Sequence, residues 1–217
     1  MTKLLTAFRF TPATISLLVM NLIPLVGVFW FGWDAAIIIF LYWLENVIIG
    51  LLNIPKILSC RTPSGGRPGR RESLGSLIFL SGFFAFHYGL FCFGHYMFLS
   101  GTYETLPEWD GILSALFSPL LFWSLLGLAL SHFISMLVNF YGRGEYKTRS
   151  ANKQMFMPYS RIVILHVVII FGGALTVAMG QGLAMLVLLV LIKIGFDLAA
   201  HLAEHSEKES LIAPSVN

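Results

Sequence analysis

Charge is scarce in this sequence. Only 12% of its 217 residues are Asp, Glu, Lys or Arg, about half the share of a soluble domain. With 57% of residues hydrophobic and a mean hydropathy of +0.79, the apolar side chains outnumber the interior places that a small domain offers. That excludes an ordinary water-soluble fold, and lipid has to cover the remainder. Cysteine is nearly absent too. Cys60 and Cys92 are too few for a disulfide framework and read as free thiols. No P-loop, G-x-S-x-G or C-x-x-C pattern occurs, so three common signatures of nucleotide, hydrolase and redox chemistry are missing. The net charge of +3 and pI near 9.0 do not indicate nucleic acid. The basic residues sit in short loops between apolar stretches, where they set topology and meet anionic headgroups.

What the chain has in quantity is long apolar runs. A bilayer core of about 30 Å takes about 20 helical residues. Six stretches qualify: 12–31, 35–58, 74–100, 112–141, 158–179 and 183–205. The first exceeds a secretory apolar region of about 7–15 residues and ends in no small-residue cleavage pattern, so it reads as a retained span. Between the spans lie the Gly32-Trp33-Asp34 turn, a polar loop from Arg61 to Glu72, an acidic loop with Glu104, Glu108 and Asp110, a basic loop over 142–157, and the Gly180-Gln181-Gly182 turn. Thirteen of the fourteen Lys and Arg residues fall on one side under a single assignment, Lys193 being the exception inside a span. The positive-inside rule then puts both termini in the cytoplasm. The sequence therefore predicts an all-α integral membrane fold, a single transmembrane domain over residues 1–217 built as a six-helix bundle, N-in and C-in.

Ionisable residues at membrane depth mark function by default. Counting a rise of 1.5 Å per residue from the cytoplasmic ends, Glu45, His87 and Lys193 lie roughly 18–20 Å deep. His132, His166 and Asp197 lie roughly 10–14 Å deep, and His201 is shallower. His95 stands alone near the outer face. The middle layer predicts a Glu45–Lys193 ion pair with His87 as hydrogen-bond partner, which either locks packing or forms a catalytic or proton-handling site. The inner layer has the residue types of a zinc or iron site, with His132, His166 and His201 as ligands and Asp197 or His205 completing the shell. Buried, hydrogen-bonded histidines are its plain alternative, and haem between His132 and His166 is a weaker one. Helical periodicity supports convergence: Lys193, Asp197, His201 and His205 form one stripe, Tyr42, Glu45 and Asn53 another, and His132, Ser135 and Asn139 a third. His201-Leu202-Ala203-Glu204-His205 reads H-x-x-E-H, an inverted zincin signature, but only twelve residues follow it, leaving no room for a third ligand downstream. Arg161, placed at the start of the fifth span, is expected to snorkel to headgroups.

Several of these residues stand in short motifs: Tyr42-Trp43-x-Glu45-Asn46-x-x-x-Gly50-x-x-Asn53-x-x-Lys56, His87-Tyr88-Gly89 with His95, Ser131-His132 with Asn139 and Gly144-Glu145-Tyr146, Pro158-Tyr159-x-Arg161 with His166, and Asp197-Leu198 with His201 and His205. From about residue 12 to 205 the chain resembles a family of uncharacterised prokaryotic multi-pass membrane proteins, known as a domain of unknown function. The resemblance implies a bacterial or archaeal cytoplasmic membrane and no particular reaction. Three functions stay open: a metal-binding protein, extending to a metal-dependent enzyme acting on a small or lipid-soluble substrate; a proton-coupled small-molecule transporter using Glu45, His87 and Lys193; and a non-enzymatic assembly subunit, alone or as an oligomer, whose polar layers only fix packing.

Overall fold

The computed structural model describes residues 12–61, 72–179, 183 and 185–195. Among them every regular element is a helix. In chain order these are α1 (Pro12–Phe31), α2 (Ala35–Ser59), α3 (Leu74–Thr102), the short α4 (Ile112–Leu116), α5 (Pro119–Ser135), α6 (Ala151–Phe156) and α7 (Tyr159–Met179), then α8 (Met185–Gly195). The all-helical expectation holds. Four runs are long and apolar enough to cross a membrane: Ala35–Ser59, Leu74–Thr102, Leu121–Gly142 and Ala151–Leu175. The first and sixth predicted spans contribute only the shorter apolar helices Leu22–Phe31 and Met185–Gly195 among the described residues.

Two predicted boundaries move, each for a local reason. The fourth span begins at Pro119 rather than at residue 112, because Ser118 is extended with ψ 139°, as a residue before proline is pushed to be. It ends in a π-helix over Met136–Gly142. The predicted loop 142–157 contains α6, started by Ser150, whose side chain accepts the Lys153 N–H. That cap satisfies one of the first-turn donors, and α6 runs into α7 with only Met157 and Pro158 between. Helix α2 runs without interruption through Gly50 and Pro55.

The chain forms two compact units, residues 36–170, and residues 1–35 with 171–217. In the larger unit α3 divides its surface cleanly. Leu77, Ser81, Phe84, Tyr88, Cys92, His95, Tyr96 and Leu99 are buried, recurring every three or four residues as one helix face requires. Phe79, Phe86, Leu90, Phe93 and Met97 are exposed on the other, Phe86 at 73%. An apolar outer face over a partly polar inner one reverses the pattern of a water-facing helix, and suits lipid.

Cross-helix bonds give the direction of each helix in this unit. Trp43 Nε1 donates to the Cys92 carbonyl (2.8 Å) and Tyr88 Oη to the Asn46 carbonyl (3.1 Å), so α2 and α3 are antiparallel. Asn53 and Gln154 exchange two bonds, Nδ2 to carbonyl at 3.2 Å and Nε2 to Oδ1 at 2.6 Å. Near the same end of α2, Ser59 and Tyr141 hydroxyls meet at 3.0 Å and Lys56 lies over the Phe140 ring. Arg149 extends this end, bonding Gln154 Oε1 (3.0 Å) and pairing with Glu145 (3.1 Å). Asn53 and Gln154, both buried, satisfy each other, as buried amides must.

At Gly50 the Tyr88 ring of α3 packs against the α2 backbone. A Cβ there would lie 2.6 Å from Tyr88 Cε1. Gly50→Ala is therefore expected to cost about 1–3 kcal/mol through overpacking, read as a lower midpoint in SDS titration of the reconstituted protein. Tyr88→Phe removes only the bond to Asn46 and is expected to cost about 1 kcal/mol. An alanine variant no less stable than the phenylalanine one counts against the packing shown.

Cys60, just past α2, is buried and donates to the Lys56 carbonyl at 3.3 Å. Burial first, then the nearby Glu72 carboxylate, pushes its thiol up to about 12. The folded state thus disfavours the thiolate. The unfolded chain ionises above the ordinary thiol range of about 8.5 and the folded one does not. Stability from this group is complete at neutral pH and falls as pH rises from there toward 12. In a Cys92→Ser background, maleimide at pH 8 is expected to leave Cys60 unlabelled until SDS unfolds the protein; labelling at the unfolded rate would contradict it.

In the smaller unit, Gly32 takes a φ of +67°, a conformation open to glycine. It returns the chain so that the Trp33 N–H donates to the Gly27 carbonyl (3.1 Å). The Trp33 ring lies over Gly27, where a Cβ would sit 2.1 Å from Cε3. Gly172 likewise lies against Met185. Met185, Leu186, Leu189 and Val190 of α8 are buried.

Candidate functional site

Three helices of the larger unit bring charge to one point. From α2, Glu45 presents Oε1. From α5, His132 Nε2 donates to that oxygen at 2.9 Å. From α7, Arg161 Nη1 approaches the same oxygen at 3.0 Å. When Glu45 is ionised it only accepts, and the His132 proton in this contact is then on Nε2. The Arg161 contact is ionic but not an aligned hydrogen bond, since its buried Nη1 has no hydrogen-bond acceptor among the described residues. All three side chains are mostly covered, with 14% of Glu45, 26% of His132 and 32% of Arg161 exposed.

Helix α3 and helix α7 form a second polar seam beside this cluster. His87 Nδ1 and Tyr159 Oη lie 2.8 Å apart, and His95 Nε2 and His166 Nδ1 3.1 Å apart. The pairs 87 with 159 and 95 with 166 advance together, so these helices are parallel. Phe83 and Phe91 flank His87 on α3, and Phe91 also contacts the His95 and His166 rings. His95 is buried, and its Nδ1 has no hydrogen-bond partner among the described residues. With α2 antiparallel to α3 and, by Glu45–Arg161 and Asn53–Gln154, to α7, the helices alternate up and down as successive spans would.

The predicted site residues are thus partly brought together and partly redistributed. Glu45 and His132, assigned to different layers, touch. His87 bonds Tyr159 and not Glu45. His166, predicted beside His132, pairs with His95, which the sequence left alone. Arg161 does not snorkel to headgroups but reaches Glu45. Lys193 belongs to the smaller unit, so the structure does not test its predicted pairing with Glu45. Asp197, His201 and His205, with the H-x-x-E-H motif, lie outside the described residues. Among the described residues, no three His, Cys, Asp or Glu side chains are grouped to hold a metal ion.

Arg161 is the residue the sequence misjudged most. The sequence expectation starts the fifth span at residue 158, whereas the apolar helical run starts at Ala151. Seven more residues put about 10 Å of additional helix ahead of Arg161. The Ser150 cap was the local signal that could have shown it.

A family model described as "Family of unknown function (DUF6498)" matches residues 3–211. The chain belongs to this family. Membership in DUF6498 accounts for nearly the whole sequence and carries no assigned activity, so the chemistry has to be read from the site. No curated protein and no solved structure matches the chain.

Proposed function

We propose that this DUF6498 chain is a six-span protein of a prokaryotic cytoplasmic membrane, both termini inside, that couples a proton at Glu45 to the passage of a small molecule. One observation carries the reading: a carboxylate oxygen meets an imidazole N–H and a guanidinium between three helices of crossing length. Such a group at membrane depth is costly unless function keeps it. Its chemistry suits coupling. Ionised Glu45 holds α5 and α7 through His132 and Arg161. A proton on Glu45 removes the charge that both donors face, and loosens that tie. His132 is placed to pass the proton, because its Nε2 is already within hydrogen-bond reach. The His87–Tyr159 pair stands beside it as a candidate continuation.

The test uses the full chain in proteoliposomes with a trapped pH dye. Inward gradients of sugars, amines and organic acids are imposed in turn. At least one solute is expected to move protons with the wild-type protein and none with Glu45→Gln. Proton movement with no solute, or equal movement in the variant, would overturn the reading.

A further inference from the structure

Arg161 carries more donors than its surroundings use. A guanidinium presents five N–H donors in a rigid fork suited to two oxygens of one oxyanion. Among the described residues its side chain has one ionic contact, Nη1 with Glu45 Oε1 at 3.0 Å. The buried Nη1 is not hydrogen-bonded even there. A neighbouring donor, His132 Nε2, converges on that same oxygen at 2.9 Å. Two donors from α5 and α7 therefore meet at one point, and an oxygen of the protein fills it with poor alignment to one of them. Ionic pairs of this type are strongest when bidentate, which this one is not.

The geometry points to an oxyanion-binding site on Arg161 and His132, in which Glu45 Oε1 stands in the ligand's place until a carboxylate or phosphate group displaces it. The inference deepens the carrier reading by naming its substrate class, and rests on that reading only for the idea of passage. The binding itself needs no transport. Two sources present the same chemistry: a small anion from solution, or the headgroup phosphate of an anionic phospholipid. The two donors serve both, and Glu45 competes with both.

The competition gives a result of unusual sign. Glu45→Gln keeps the volume and removes the competing charge, so it is expected to tighten binding, by about tenfold, or about 1.4 kcal/mol. Succinate and inorganic phosphate are titrated separately into the full chain in a neutral detergent, and binding is read as a rise in Tm. In parallel, the same preparations are offered phosphatidylglycerol and phosphatidylcholine, and retained lipid is counted by native mass spectrometry. Tightening in the titration identifies a soluble anion; selective extra retention of phosphatidylglycerol by Glu45→Gln identifies a lipid. Either supports the site, provided that Arg161→Lys weakens it and the double variant Glu45→Gln/Arg161→Met loses it. Glu108→Gln, which removes an exposed carboxylate in the loop after α3, should change neither readout. The inference is overturned if both arms are flat, if Glu45→Gln binds no tighter than wild type, or if Glu108→Gln tightens binding equally and so exposes a bulk charge effect. Oxyanion binding without proton flux would remove the carrier reading and leave the site. Flux driven only by solutes that lack an oxyanion would separate the site from the transported substrate and leave proton coupling.

Discussion

Glu45→Gln is expected to lower solute-driven proton flux by about a hundredfold or more, the order of effect of losing a positioned acid–base group, while the protein stays folded. Glutamine keeps the size of the side chain and an oxygen that His132 Nε2 can still reach. What it loses is the ability to take up and release a proton. Helix packing should survive, since the α2–α3 seam at Asn46, Gly50 and Tyr88 and the Asn53–Gln154 pair do not involve Glu45. The measurement is initial flux in matched proteoliposomes, normalised to folded protein by size-exclusion chromatography. His132→Asn, which keeps a donor but cannot relay a proton at neutral pH, is expected to slow flux less than Glu45→Gln. If His132→Asn is inactive while Glu45→Gln is normal, the carboxylate is not the proton's resting place and the coupling mechanism fails.

How far the sequence could have led here depends on what each residue's position was counted from. The long helices are legible, because runs such as Leu74–Thr102 leave a membrane helix as the one economical way to satisfy the backbone, whereas α6 lies inside the predicted loop 142–157. The division of α3 into a buried and an exposed face follows from its own spacing. Glu45 is largely covered and meets His132 and Arg161, partners that depth alone does not predict, and the reason is specific. Depth reckoned from span ends inherits every error in those ends. Starting the fifth span at 158 instead of 151 put Arg161 at the rim and His166 level with His132 rather than with His95. Long side chains then closed the remaining gap between Glu45 and His132, which a rise per residue cannot register. The π-helix at Met136–Gly142, a form often found at functional sites, has no signature in periodicity.

Arg161→Met is expected to be the most destabilising single change in the cluster, by about 3 kcal/mol, because it leaves the Glu45 carboxylate buried without its guanidinium. That is the low end for a buried pair, since 32% of Arg161 stays open. The double variant Glu45→Met/Arg161→Met removes both charges and should regain most of the loss. Burying two apolar side chains avoids the desolvation cost that the pair only partly offsets. SDS titration of wild type, both single variants and the double variant gives the coupling energy directly. A large positive coupling with a stable double variant means that Glu45 and Arg161 stabilise one another more than they stabilise the fold. Their retention in the chain would then be explained by binding or coupling rather than packing. Additive losses would mean the opposite. Each side chain would be holding its own helix in place, and the assembly-subunit reading, in which the polar groups only lock the bundle, would become the better account of the site.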